Sequence, residues 1–144
     1  MRAKIRELNT RINSKIVTFD GSNILVMEHP TYQGYYCDTQ GEIYSSKRRI
    51  FKKLSQCKQK SGYMKTTLTI NGKLISCWSH ILIADTWLEP SDADKFGNPR
   101  NQVNHINCIK FDNRLCNLER NSAKENALHH KNIAPLFSEL RKSK

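Results

Sequence analysis

Four polar residues stand out by type and spacing. Asn104 and His105 are adjacent, Asn117 follows twelve residues after His105, and Asn126 lies further on. The stretch between reads Val103-Asn104-His105-Ile106-Asn107-Cys108-Ile109-Lys110-Phe111-Asp112-Asn113-Arg114-Leu115-Cys116-Asn117-Leu118-Glu119. Histidine titrates near neutrality, which suits proton transfer. An asparagine side chain offers a neutral oxygen that suits a hard divalent cation. A histidine among such oxygens is a pattern for proton abstraction beside a metal ion. Each residue alone has a plainer reading. A lone histidine is more often structural than catalytic, Asn113 and Asn117 are of a turn-forming type, and an asparagine in a polar helix is usually solvated. The joint spacing argues for chemistry.

Such a set needs elements to hold it. Two short strands around a loop are expected between Val103 and Leu118, with the second strand ending in Asn117. A helix follows from about Ser122. Ser122 and Glu125 there have the spacing of a capping box. This helix returns Asn126 toward Asn104 and His105. Upstream, residues 22–90 read as β-rich. Asp20-Gly21 and Gln40-Gly41 are turn signals. Met64 to Ile70 alternates, Asn71-Gly72 is a strong two-residue hairpin turn, and Lys73 to Trp78 is the return strand. Ser79 to Trp87 reads as a short helix capped by Ser79, with Ile81, Ala84 and Trp87 toward the core. Residues 1–21 form a basic arm or an amphipathic helix carrying Ile5, Leu8, Ile12, Ile16 and Val17. Residues 131–144 are a basic tail. The expected class is α+β: a β-rich N-terminal half, a ββα unit over 91–130, and the tail.

The 144 residues carry a net charge of +11, which predicts a polyanionic partner, nucleic acid first. No long apolar run suggests a membrane span. A soluble cytoplasmic protein is expected. The five cysteines, Cys37, Cys57, Cys77, Cys108 and Cys116, contain no Cys-x-x-Cys pair. Reduced thiols are the simplest reading. Cys108, Cys116 and His105 would make an unusual zinc set.

Residues 103–126 resemble the HNH nuclease motif, a ββα-metal finger, and are most similar to its form in phage and intron homing endonucleases. The residues from Tyr36 to Ser45 resemble the NUMOD-type DNA-binding segment that precedes the motif in that family. Ser79 to Ala84 is similar to the helix before it. The resemblance implies a metal-dependent endonuclease acting on double-stranded DNA, phage-encoded, as a monomer or homodimer. It makes His105 the general base and Asn104 and Asn126 the ligands of Mg²⁺ or Mn²⁺, with Zn²⁺ ranked below them. Asn117 would hold the loop and help orient His105. The chemistry agrees: attack on an anionic phosphodiester needs charge neutralisation and a deprotonated water.

Three positions depart from the family pattern. Cys108 stands where glycine is usual and is strained if the turn needs positive φ. Arg120 stands where an aromatic residue often packs. Asn104 replaces a commoner aspartate. Lys47, Arg48, Arg49, Lys52 and Lys53 are the candidate phosphate contacts, with Lys58, Lys60, His80 and the tail as additions. Such contacts position a duplex more than they read it. Longer relatives carry a C-terminal helix-turn-helix module, and without one limited specificity is expected. Two other readings stay open: a DNA-binding protein that keeps the fold but not efficient catalysis, and a basic RNA-associated protein.

Overall fold

A computed structural model describes residues 14–133, 135 and 136. The expected tail therefore lies mostly outside the described residues, as does the arm before Ser14.

Strands β1 (Ser14–Phe19), β2 (Ser22–Glu28), β3 (Tyr35–Asp38), β4 (Ile43–Ser45) and β5 (Lys52–Lys53) form a five-stranded antiparallel meander. The β1 strand corrects the helical alternative for this end. Asp20 and Gly21 both adopt positive φ, 48° and 77°, and fold Ser14–Phe19 back onto β2. Cross-strand pairing through this tight turn outweighs the weak helical spacing of Ile16 and Val17.

A second sheet comprises β6 (Cys57–Lys58), β7 (Met64–Ile70) and β8 (Lys73–Trp78). The expected Asn71-Gly72 turn joins β7 to β8, again with both residues at positive φ. Helix α1 (Ser79–Trp87) follows at once. It packs against both sheets and against the C-terminal strands. Leu82, Ile83, Ala84 and Trp87 are buried with Met27, Tyr35, Cys37, Ile43, Leu68, Leu115 and Leu118 in one core. The Trp87 indole N–H donates to the carbonyls of Cys37 and Asp38 at 3.2 and 3.1 Å. Two details of α1 differ from expectation. Trp78 occupies the N-cap position, and Ser79 is the first helical residue with a buried Oγ. Ile81 is only half-buried, because a helix enclosed on most sides uses Leu82 and Ile83 as well.

After an irregular segment come β9 (Gln102–His105), a 3₁₀ turn (Leu115–Asn117), β10 (Leu118–Asn121) and helix α2 (Ala123–Asn132). Strands β9 and β10 pair antiparallel, with His105 opposite Leu118 and Asn104 opposite Glu119. Asn117 thus precedes the second strand and does not end it; Asn121 ends it. The capping box of α2 forms as expected: Ser122 Oγ accepts from the Glu125 N–H, and Glu125 Oε1 accepts from the Ser122 N–H. Asp94 accepts from the Ser122 hydroxyl, and Arg100 holds Glu125 through two bonds of 2.9 and 3.1 Å. Both contacts tie the irregular segment to the start of α2.

Candidate active site

A cleft of about 30 Å³ opens where β9 meets α2. Asn104 and His105 line it from β9, Asn126 and His130 from α2, and Cys108 and Lys110 from the loop between the strands. The space suits one ion or water. Three sequence candidates therefore meet: β9 ends on the Asn104-His105 pair, and the α2 cap sets the start of the helix that carries Asn126.

His105 is buried, at 5% exposure. Its Nε2 lies 2.7 Å from Asn113 Oδ1. That oxygen only accepts, so Nε2 carries the proton and Nδ1 has the lone pair. Burial pushes the imidazole below its ordinary range, Asn113 and Asp112 pull it upward, and Lys110 adds to the lowering. The ring is thus neutral at pH 7, the form that accepts a proton.

The orienting contact on His105 corrects the expectation for Asn117. Asn117 accepts from the Asn107 N–H at 2.9 Å and donates to Asn107 Oδ1 at 2.9 Å and the Asp112 carbonyl at 2.8 Å. It ties Asn107 to Asp112, while the side chain bonded to His105 is that of Asn113, the next residue after Asp112. The β3–β4 turn supports the same loop from behind. The Leu115 N–H donates to the Thr39 carbonyl. A Cβ at Gly41 would come within 3.0 Å of the Asn113 carbonyl carbon. Cys108 adopts φ 62°, the strained conformation that glycine would relieve.

His80 is not on the exposed basic surface. It is 8% exposed, its ring centroid lies 5.1 Å from that of His105, and it stacks on Tyr63 at 5.0 Å. Burial, aided by His105, pushes its pKa down to about 4. A neutral buried ring is a poor phosphate contact, so the phosphate role expected for His80 gives way to packing behind His105. Lys47, Arg48, Arg49, Lys52 and Lys53 are exposed, on edge strand β5 and the segment that leads into it.

Sequence reasoning missed how Lys65 and Lys110 join Lys58 in a basic surface beside the cleft. The Lys65 ammonium lies 4.4 Å from the centre of the Trp78 ring, Lys110 5.1 Å from Tyr63, and Lys58 4.2 Å from Phe111. Trp78 and Phe111 are 38% and 53% exposed, enough for a base or sugar to reach them. These pairs join β6, β7 and β8 to the loop of the cleft, so no local spacing announces them. His130, which by sequence reads as solvated or phosphate-facing, lines the cleft as well. Its position four residues after Asn126 puts it on the same helix face.

The cleft presents two side-chain oxygens whose chemistry fits a cation. Asn104 Nδ2 is spent on Glu119, which leaves Oδ1 for the cleft. Asn126 Oδ1 accepts one bond, from Asn121 at 3.2 Å, and keeps a second lone pair. Two neutral oxygens with open positions suit Mg²⁺ or Mn²⁺, which keep waters and take substrate oxygens. Among the described residues no three His, Cys, Asp or Glu side chains gather as a metal site. Cys116 is exposed, Cys108 lines the cleft, and no disulfide joins any of the five cysteines. No helix among the described residues is long and apolar enough to cross a membrane.

No protein-family model matches this chain, and neither does any curated protein. Among solved structures, the fold is similar to that of the HNH homing endonuclease I-HmuI, from a study of its DNA binding and cleavage. The TM-score is 0.58 and the identity 24%, over 74% of this chain and 57% of that one. The chain thus spans little more than half the length of that protein. At this identity the likeness is one of fold.

Proposed function

We propose that this protein is a metal-dependent endonuclease that hydrolyses phosphodiester bonds of double-stranded DNA. One observation carries the reading: Asn104, His105 and Asn126 line one small cleft, and His105 has its Nε2 occupied by Asn113. A strand-rich fold similar to an HNH homing endonuclease and a net charge of +11 support it.

His105 Nδ1 takes the proton of the water that attacks phosphorus. General-base help of this kind is worth about 10²–10⁴ in rate. Asn113 keeps the ring in the tautomer that exposes Nδ1, and Tyr63 and His80 limit its tilt. Asn104 and Asn126 would hold Mg²⁺ or Mn²⁺ through their side-chain oxygens. When bound, such an ion neutralises charge on the phosphate and on the departing 3′ oxygen. Lys110, Lys65 and Lys58, with the exposed run from Lys47 to Lys53, hold the duplex by its phosphates.

A second reading has one observation in its favour. Both oxygen donors are neutral amides, which bind a cation less strongly than carboxylates. On that reading the chain binds DNA but turns over poorly. Incubating supercoiled plasmid with the protein in Mg²⁺, in Mn²⁺ and in EDTA separates the two. The nuclease reading expects nicked circles in at least one metal and none in EDTA. One cutting centre per chain makes nicking the first product. Retarded but uncut plasmid in both metals supports the second reading.

A further inference from the structure

Asn104 has a partner that decides which way its amide faces. Its Nδ2 donates to Glu119 Oε1 at 2.9 Å, directly across the β9–β10 ladder. The same oxygen accepts from Asn121 Nδ2 at 3.2 Å, and Asn121 Nδ2 donates in turn to Asn126 Oδ1 at 3.2 Å. Asn126 Nδ2 is spent on Gln102 Oε1 at 2.7 Å. Glu119 itself does not line the cleft. It lines a separate groove with Arg100, Glu125 and His129, along another face of α2.

We propose that Glu119 is a positioning residue that fixes the acceptor end of the Asn104 amide toward the cleft. The inference rests on the reading of Asn104 as a cation ligand. An asparagine amide has one acceptor end and one donor end. Turned over, Asn104 would present N–H groups to the cleft and repel a cation. Glu119 accepts only, so it selects the orientation in which Nδ2 faces away. An aspartate at position 104 would have no wrong end, but it would bring a second carboxylate against Glu119. Residues 104 and 119 are thus a matched pair of amide and carboxylate. The chain accommodates a neutral ligand by placing the orienting charge outside the cleft.

The pairing makes a prediction of sign. Glu119→Gln preserves shape but removes one-way polarity, because a glutamine amide can meet Asn104 with either end. Mn²⁺ uptake by the purified protein is measured from the electron paramagnetic resonance signal of the free ion, for the native chain, E119Q, N104D and N104D/E119Q. In the native background E119Q is expected to weaken Mn²⁺ binding about tenfold, a typical effect for a residue that orients a metal ligand. In the N104D background the same change is expected to strengthen binding, because the introduced glutamine then donates to the introduced aspartate. Loss of packing, or of negative charge near the cation, weakens binding in both backgrounds. Equal signs in the two therefore overturn the proposal. If circular dichroism shows N104D unfolded, E119Q alone decides, and unchanged affinity overturns it. A native chain that takes up no Mn²⁺ overturns the metal reading beneath. A native chain that binds Mn²⁺ only as tightly as E119Q overturns the positioning role alone.

Discussion

His105 depends for its tautomer on an amide eight residues away. Asn113→Ala leaves a buried N–H without its acceptor, at a cost of about 1–3 kcal/mol. It is expected to lower the single-turnover cleavage rate more than the affinity for the same duplex, because it frees the ring without touching phosphate contacts. Cys108 is the opposite case. At φ 62° it carries strain that glycine would not. Cys108→Gly is expected to raise stability to urea by about 0.5–1 kcal/mol, the left-handed penalty less the entropy cost of glycine. The need for positive φ at Cys108 was legible, since the resemblance puts glycine there. The grouping of Asn104, His105 and Asn126 was legible too, because strand, loop and helix are local. Asn113 was not. A turn-forming asparagine looks the same whether its side chain meets solvent or an imidazole. His80 and Tyr63 reach His105 from a separate helix and sheet edge, which no local spacing encodes.

At the scale of elements, α1 supports both sheets and the β9–β10 ladder, and Arg120 fastens its C-terminal end. The Arg120 guanidinium donates to the carbonyls of Ala84, Leu88 and Glu89 and pairs with Asp85. This explains the departure from an aromatic residue: the position closes a helix C-terminus, where a cation also suits the helix dipole. Arg120→Ala is expected to cost about 1.5–3 kcal/mol by urea denaturation, because it removes the charge-assisted hydrogen bonds to the carbonyls at the end of α1. The hairpins at Asp20-Gly21 and Asn71-Gly72 were legible because both residues of each turn need positive φ. Strand β1 was misjudged for a related reason. Its alternation is weak, with Ile16 71% exposed, so its pairing to β2 depends on the turn and not on a buried face.

The whole molecule responds to acid in two stages. His80 is pushed from 6.5 down to about 4 by burial. Between those values the unfolded chain binds a proton that the folded chain does not, so stability falls as pH drops through this range. Hydrogen bonds from Ser122 hold Asp94 down to about 2, and the Arg114 guanidinium does the same for Asp112. Their contributions are complete above the ordinary carboxylate value of 3.8 and are lost as pH falls toward 2. Thermal melts between pH 8 and 2 are expected to show both stages, and His80→Gln to shrink the first to the part that buried His105 contributes. The basic charge acts at the same scale. Its size was legible in the sequence, but its grouping beside the cleft was not, because Lys58, Lys65 and Lys110 converge only once β6, β7 and the cleft loop come together.

If His105 takes the proton from the attacking water, its loss acts on the rate of cleavage and not on binding. The native chain and His105→Ala are compared on one duplex, with affinity and single-turnover cleavage rate recorded together. Unchanged affinity and a rate reduced about 10²–10⁴-fold in the same metal are expected. Cleavage by His105→Ala at the native rate would contradict that role.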